Sequence, residues 1–374
     1  MNKNLFTASA IAFLLALLCV RAYCQPIKDK DFRVIAYYAS NAHKIDSFPI
    51  EKLTHIIYSF CHLKGNRLNV DNAADSLTIQ KLVSLKSRNP KLKVLLSLGG
   101  WGGCETCSDV FSTQTGRAAF AGSVKALAAY FKTDGIDLDW EYPTIEGYPG
   151  HPYKPEDKEN FTALLKTLRS ILGKKQEISF AAGGFKHYLL EAVDWKSVMP
   201  VINYVNLMNY DMVNGATPHT GHHTPLYSNS QQKESIHDCV SYLSSIGVPK
   251  EKMVIGAAFY GRSWENVQNV NNGLHQPGLF KNFIDYNHFD KIINNETGFN
   301  FYYDEVAQAS YAYNPGDKIF VTFDDEASIT KKTKYALENG LGGIMFWELS
   351  IDKKENGYVD VIDRTIKNAD RKSR

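Results

Sequence analysis

The sequence predicts an α/β protein: a closed (β/α)8 TIM barrel with a small α+β insertion after its seventh strand. Three observations predict it. Eight short β-rich runs recur along the chain, helical patterns fill most of the gaps between them, and one gap is far longer than the rest. Alternation of strands and helices implies a parallel sheet, and eight such units close it into a barrel. A doubly wound open sheet is the structural alternative. No G-x-G-x-x-G turn follows the first run, which weakens the dinucleotide-binding form of that fold.

Taken in chain order, the first segment stands outside the barrel. Met1 to Asn4 supplies a short positive start at Lys3, and Leu5 to Val20 is uncharged and mostly apolar. Ala22-Tyr23-Cys24 then places small residues before Gln25. This is the pattern of a cleaved export signal over residues 1–24. The strongly apolar part, Ala8 to Val20, is short for a membrane-spanning helix. Cys24 as a lipid-attachment cysteine is the lesser alternative. A secreted or periplasmic location is expected, with residues 25–374 forming the barrel.

The eight runs are Arg33–Ser40, His55–Leu63, Lys93–Gly100, Gly135–Pro143, Glu177–Gly184, Tyr204–Asp211, Met253–Gly261 and Gly342–Leu349. Helical patterns follow the second run (Leu77–Arg88), the third (Gly116–Lys132), the fourth (Glu156–Leu172) and the sixth (Gln231–Ile246). Residues 262–327 separate the seventh run from the helical Ser328–Asn339. A structureless connection of that length would argue against the assignment. A small α+β unit over residues 265–322 is therefore expected, with a helix over Lys281–Asn294 and strands at Phe299–Tyr303 and Phe320–Phe323. No Pro-rich or Ser/Gly linker and no solenoid repeat interrupts the chain after residue 26.

Composition excludes several classes. The 374 residues are 44% apolar and 22% charged, which is ordinary for a globular protein. Lys plus Arg total 42 against 40 for Asp plus Glu, so the strong basic surplus of a nucleic-acid binder is missing. Aromatic residues reach 12%, enough for some rings to face a ligand. With Cys19 and Cys24 in the signal, Cys61, Cys104, Cys107 and Cys239 remain. The pair Cys104-Glu105-Thr106-Cys107 lacks the second pair that a structural zinc site needs. In an exported protein a loop disulfide is the expectation. Cys61 and Cys239 read as buried thiols.

The most informative stretch is Asp134-Gly135-Ile136-Asp137-Leu138-Asp139-Trp140-Glu141-Tyr142-Pro143. On a strand its period-two pattern puts Asp137, Asp139 and Glu141 on one face and Ile136, Leu138 and Trp140 on the other. In a barrel the acidic face points inward, and active sites lie at the C-terminal ends of the strands. Burying neighbouring carboxylates costs several kcal/mol each if all stay ionised and unpaired. The expected response is shared protons and a raised pKa on at least one, which suits a general acid near neutral pH. A calcium loop would need polar spacers and a turn glycine, whereas the spacers here are Ile, Leu and Trp.

This segment resembles the D-G-x-D-x-D-x-E signature of glycoside hydrolase family 18, the chitinase family. Ser97-Leu98-Gly99-Gly100-Trp101 resembles the S-x-G-G motif of strand three. Met208-Asn209-Tyr210-Asp211 resembles the M-x-Y-D motif of strand six. Phe259-Tyr260-Gly261-Arg262 is similar to the Y-G-R motif of strand seven, and Gly342–Trp347 to the strand-eight motif ending in tryptophan. The match spans nearly the whole chain after the signal. The insertion is similar to the α+β domain of the family's deeper-clefted subgroup.

The resemblance implies roles. Glu141 would protonate the leaving oxygen and later activate water. Asp139 would orient the substrate's own 2-acetamido group, the internal nucleophile, and Asp137 would share a proton with Asp139. Tyr210 would donate to the acetamido oxygen, Asp211 would hold the distorted sugar, and Trp347 would floor its ring. Tyr37, Phe60, Trp101, Met208 and Arg262 match family positions lining the pocket. Asp134 reads as structural support. The resemblance implies no metal and no cofactor, so His219, His222 and His223 read as cleft wall. It implies a monomer acting on chitin or N-acetylglucosamine oligosaccharides. Two alternatives stand beside a chitinase: an endo-β-N-acetylglucosaminidase acting on N-glycans, and a non-catalytic chitin-binding lectin.

Overall fold

The computed structural model describes residues 32–373. The export signal expected over residues 1–24, with the Cys24 alternative, lies outside the described residues. Eight strands form one parallel barrel. In chain order they are β1 (Arg33–Tyr38), β2 (His55–Lys64), β4 (Lys93–Gly99), β5 (Gly135–Asp139), β6 (Glu177–Gly183), β7 (Tyr204–Met208), β8 (Met253–Ala258) and β14 (Gly343–Trp347). Strand β1 pairs in parallel with both β2 and β14, which closes the sheet. Short β3 (Arg67–Asn69) folds back antiparallel on β2.

Helices alternate with these strands as the patterns predict. They are α1 (Ala73–Ser84), α2 (Cys107–Ser112), α3 (Gln114–Phe131), α4 (Asp157–Leu172), α5 (Lys186–Glu191), α6 (Trp195–Val198) and α7 (Ile236–Ser245). After the insertion come α9 (Glu326–Glu338) and α10 (Tyr358–Ser373), while the insertion holds one turn, α8 (Phe289–Ile292). Side-chain oxygens start several of them: Asn72 accepts from Asp75 N–H, Thr113 from Gly116 N–H and Ser235 from Asp238 N–H. Asp325 and Ser328 cap α9 reciprocally. Between β1 and β2 only two 3-10 turns, Ile45–Ser47 and Ile50–Lys52, stand in for a helix.

The strands sort their side chains with period two. Ile56, Val94, Leu96, Ile136, Leu138, Ile178 and Phe180 face outward into the layer under the helices. Ile35, Tyr37, Ile57, Leu95, Ala181, Tyr204, Val254 and Met345 fill the barrel interior. Among the described residues no helix is long and apolar enough to cross a membrane.

Strand β8 ends at Ala258, earlier than the run Met253–Gly261 suggests. Tyr260–Glu265 is a separate strand, β9, that leaves the barrel for a five-stranded antiparallel sheet ordered β10-β9-β13-β12-β11. Its other strands are β10 (Leu279–Asp285), β11 (Asn300–Asp304), β12 (Ala309–Asn314) and β13 (Ile319–Phe323). The helix expected over Lys281–Asn294 is not there: Lys281–Asp285 belongs to β10, and only Phe289–Ile292 is α-helical. A β-bulge interrupts β10. Phe280 pairs with Trp264 and Phe283 with Arg262, with an irregularity between Phe280 and Asn282. The extra residue turns Phe280 and Phe283 to the same face. The helix-like signal lies further on, in Phe283, Tyr286 and Phe289 spaced three apart.

Candidate active site

The site grows from the C-terminal end of β5. Asp137 projects into the barrel and is fully buried. Four donors meet it. Tyr37 Oη (3.1 Å) and Ser97 Oγ (2.9 Å) donate to Oδ2, while Ser179 Oγ (2.6 Å) and Asn206 Nδ2 (3.2 Å) donate to Oδ1. Burial pushes its pKa up, and these hydrogen bonds pull it down.

Asp139 lies two residues further on and is 4% exposed. Its Oδ1 is buried and has no hydrogen-bond partner among the described residues. Burial first, then the charges of Glu141 and Asp137, hold its pKa well above the ordinary carboxylate range. Among the described residues no hydrogen bond joins Asp137 to Asp139. Glu141 lies just past the strand and is part-buried. Burial raises its pKa to about 7, opposed by a hydrogen bond with Tyr142 and reinforced by the charge of Asp211. Asp134, at the start of the strand, is turned away. It accepts from Val94 N (2.7 Å) and pairs with Lys86 (2.7 Å), holding β4 to β5.

The glycines of Ser97-Leu98-Gly99-Gly100 have steric reasons. At Gly99 (φ +109°) an added Cβ would lie 2.2 Å from the Asp139 carbonyl oxygen. At Gly100 (φ +79°) it would lie 2.3 Å from the Phe60 ring. Only glycine permits both the conformation and the approach. Phe60 is thereby brought onto Trp347, with centroids 5.7 Å apart and planes 14° from parallel.

The opposite wall comes from the β7 end and the insertion. Tyr210 is part-buried, and burial followed by the charge of Asp139 pushes its phenol well above 10, so it stays a neutral donor. Its only protein partner among the described residues is the Met345 Sδ, at 3.9 Å. Asp211 adopts φ 61°. It accepts from Tyr260 Oη (2.6 Å) and Arg262 Nε (2.5 Å), with buried His223 Nδ1 at 3.6 Å. His223 and Arg262 outweigh burial and hold its carboxyl well below the ordinary range.

Some expected residues are placed differently. Tyr37 is 1% exposed and bonds Asp137, so it supports the carboxylates from below rather than facing a sugar. Met208 is 9% exposed and belongs to the interior layer. Arg262 is buried and acts on the pocket through Asp211. Trp101 stands on the rim, 59% exposed, edge-on to Tyr148 at 5.5 Å. His222 pairs with Asp304 (3.1 Å) and His219 bridges Pro277, so the histidines diverge. Cys104 and Cys107 form a disulfide at the start of α2, and Cys61 and Cys239 are buried free thiols.

Sequence reasoning passed over the donors around Asp137. Ser97, Ser179 and Asn206 each occupy an inward position in the middle of a mostly apolar strand, and that mid-strand polar residue was their signal. Tyr260 stood inside a quoted motif, but its bond to Asp211 depends on the separate strand β9.

The family model described as glycosyl hydrolases family 18 matches residues 33–352. The chain is 33% identical over 301 residues to Chitinase A1 of Niallia circulans, covering 74% of this chain and 43% of that relative. It is 31% identical over 332 residues to Chitotriosidase-1 of Mus musculus, covering 82% and 68%. With Chitinase 1 of Aphanocladium album it shares 29% over 402 residues, covering 93% and 90%. The chain thus spans under half of the first of these relatives and most of the third. A solved structure of a glycoside hydrolase family 18 N-acetylglucosaminidase from Paenibacillus barengoltzii superposes with a TM-score of 0.81 at 34% identity, covering 89% of this chain and 99% of that one. Chitinase ChiW from Paenibacillus sp. str. FPU-7 superposes at 0.83 and 32%, covering 89% and 42%.

Proposed function

The chain belongs to the glycosyl hydrolases family 18, and from that premise we propose that it is a secreted chitinase. It hydrolyses β-1,4 links between N-acetylglucosamine units, with retention, using the substrate's 2-acetamido group as nucleophile. The observation that carries this reading is the carboxylate row: Asp137 saturated with donors, Asp139 with an unfilled acceptor, and Glu141 with its pKa raised to about 7.

Glu141 is the general acid, protonating the leaving oxygen, and then the base that takes a proton from water. Side-by-side projection of Asp139 and Glu141 from one strand end suits neither role of a second protein nucleophile beneath the sugar, and substrate assistance is the known alternative for this class. The buried Oδ1 of Asp139 suits an acetamido N–H, since buried acceptors are normally paired. The charge of Asp137 raises Asp139's affinity for a proton. Sharing that proton requires Asp139 to turn toward Asp137. Tyr210 offers its hydroxyl to the acetamido carbonyl, Asp211 accepts from a sugar hydroxyl, and the Phe60–Trp347 stack forms the apolar floor.

The test is hydrolysis of a chromogenic chitobioside, alongside the same compound with hydroxyl in place of each 2-acetamido group. The first is cleaved and the second is not. Efficient cleavage of the hydroxyl analogue would refute substrate assistance, and cleavage of N-glycoprotein alone would move the substrate to N-glycans. A second reading, release of single N-acetylglucosamine units, is favoured by the likeness to the Paenibacillus barengoltzii enzyme. Early products from chitohexaose decide between the two: dimer, trimer and tetramer for a chitinase, monomer and pentamer for the second reading.

The pH dependence follows from the raised acid. Glu141 must carry its proton to donate it, so activity is present below about pH 7 and is lost above it. On the alkaline side kcat/KM is expected to fall roughly tenfold per pH unit, the apparent pKa belonging to the Asp139–Glu141 pair. A plateau persisting to well above that pH in a pH–rate profile would contradict the role.

A further inference from the structure

We propose that the Cys104–Cys107 disulfide is a positioning element for Asp139 and Glu141, bracing from behind the strand end that carries them. This inference rests on the role given to Glu141 above. The bridge encloses only Glu105 and Thr106. The entropy that a disulfide removes from the unfolded chain grows with the loop it closes, so this short loop adds little to global stability. Its effect is local, and both cysteines are buried.

The bridge meets the reacting residues along two routes. Gly99 pairs with Asp139 across β4 and β5, and Gly100 N–H donates to the Asp139 carbonyl at 2.9 Å. A Cβ placed on Gly99 would lie 3.1 Å from the Cys104 Sγ, so the sulfur packs on the backbone that pairs with Asp139. Cys104 also lines one crevice with Trp140, Glu141, Tyr142, Ile145 and Gly147. Gly147 backs the Glu141 carbonyl so closely that an added Cβ would lie 2.1 Å from its oxygen, and the Tyr148 ring lies over Gly102. Beyond the bridge, α2 sets Phe111 5.6 Å from the ring of Trp140, the residue between the two acids. Helix α2 is itself tied to α4, where Ser108 Oγ donates to buried Asp157 Oδ1 at 3.0 Å. Opening the bridge frees the turn over residues 100–106 from α2 and admits water behind Glu141. A displacement of about 1 Å can cost about a hundredfold in rate.

The experiment compares wild type, Cys107→Ala and Cys104→Ala/Cys107→Ala on a chromogenic chitobioside across pH, below the thermal midpoint of each protein. Cys107→Ala keeps the sulfur beside Gly99 and removes the bond. Both variants are expected to keep the wild-type circular-dichroism spectrum and to lose about tenfold in kcat. The alkaline limb of kcat/KM should move down by about one pH unit, because water in the crevice relieves the burial that raises Glu141. The titratable groups facing Glu141 are Asp139, Tyr142, Tyr188, Tyr210 and Asp211, with His151 on the crevice loop, and the variants change none of them. An alkaline limb that stays in place overturns the proposal, since loss of folded protein lowers kcat without moving the limb. Wild-type kcat overturns it as well. Wild type reduced with dithiothreitol, its freed thiols counted by alkylation, should show both changes and lose them on reoxidation, and no change on reduction rejects the bracing role. Glu141→Gln measured alongside separates the two readings. Near-normal turnover in it rejects the general acid, whereas an inactive Glu141→Gln beside unaffected cysteine variants rejects the positioning role alone.

Discussion

Glu141→Gln is expected to fold and to lose turnover of a chromogenic chitobioside by about a thousandfold, within the range that general acid catalysis contributes. The amide keeps the shape of the carboxyl and cannot donate the proton. Its stability should also diverge from wild type with pH. The folded pKa of Glu141, about 7, exceeds its ordinary 4.5. The stabilisation linked to its proton is therefore complete below the lower value and lost as pH rises through the upper one. The amide lacks that dependence, so its denaturation midpoint should gain on wild type between those two values. Near-normal turnover in this variant, with an unchanged circular-dichroism spectrum, would remove Glu141 from the chemistry.

The largest stability effect is expected from Lys332→Met. Lys332 in α9 is fully buried, and its Nζ lies 2.6 Å from Asp324 Oδ2 and 2.6 Å from Thr224 Oγ1. Asp324 is 1% exposed and also accepts from Ala258 N (3.0 Å) at the end of β8. Removing one partner of a buried pair strands the other charge, at about 3–5 kcal/mol. Asp324→Asn/Lys332→Met together should cost less, because no charge is then stranded. Chemical denaturation of the three proteins provides the comparison. A Lys332→Met midpoint equal to wild type would show that the pair holds nothing. The effect should reach activity as well, since Thr224 donates to the Asn209 carbonyl (2.8 Å), the residue before Tyr210.

The barrel was legible because its determinants are local. Each strand is a short apolar run, several helices carry their own caps, and the acids alternating with Ile136, Leu138 and Trp140 state which face turns inward. The motif residues Asp139, Glu141, Tyr210, Asp211 and Trp347 were legible for the same reason: each sits at the end of a strand. What stayed hidden depends on pairing between distant segments. Strand β10 looked helical because Phe283, Tyr286 and Phe289 recur at a helix-like spacing, although a strand, a 3-10 turn and one helical turn divide them. Tyr37 looked like a pocket residue because it matches a family position; it does point inward, but its depth beneath Asp137 is set by partners from other strands. Ser97, Ser179 and Asn206 become partners of one carboxylate only when four strands are in register.

That convergence on Asp137 also bears on how the barrel can be divided. Tyr37 and Ser97 reach it from the first and third barrel strands, Ser179 and Asn206 from the fifth and sixth. A fragment ending after the fourth strand would keep the carboxylate with half its donors. The complementary fragment would keep two donors and no acid. A half-barrel ancestor or a split version of this protein would thus have no complete carboxylate site until both halves had joined in register.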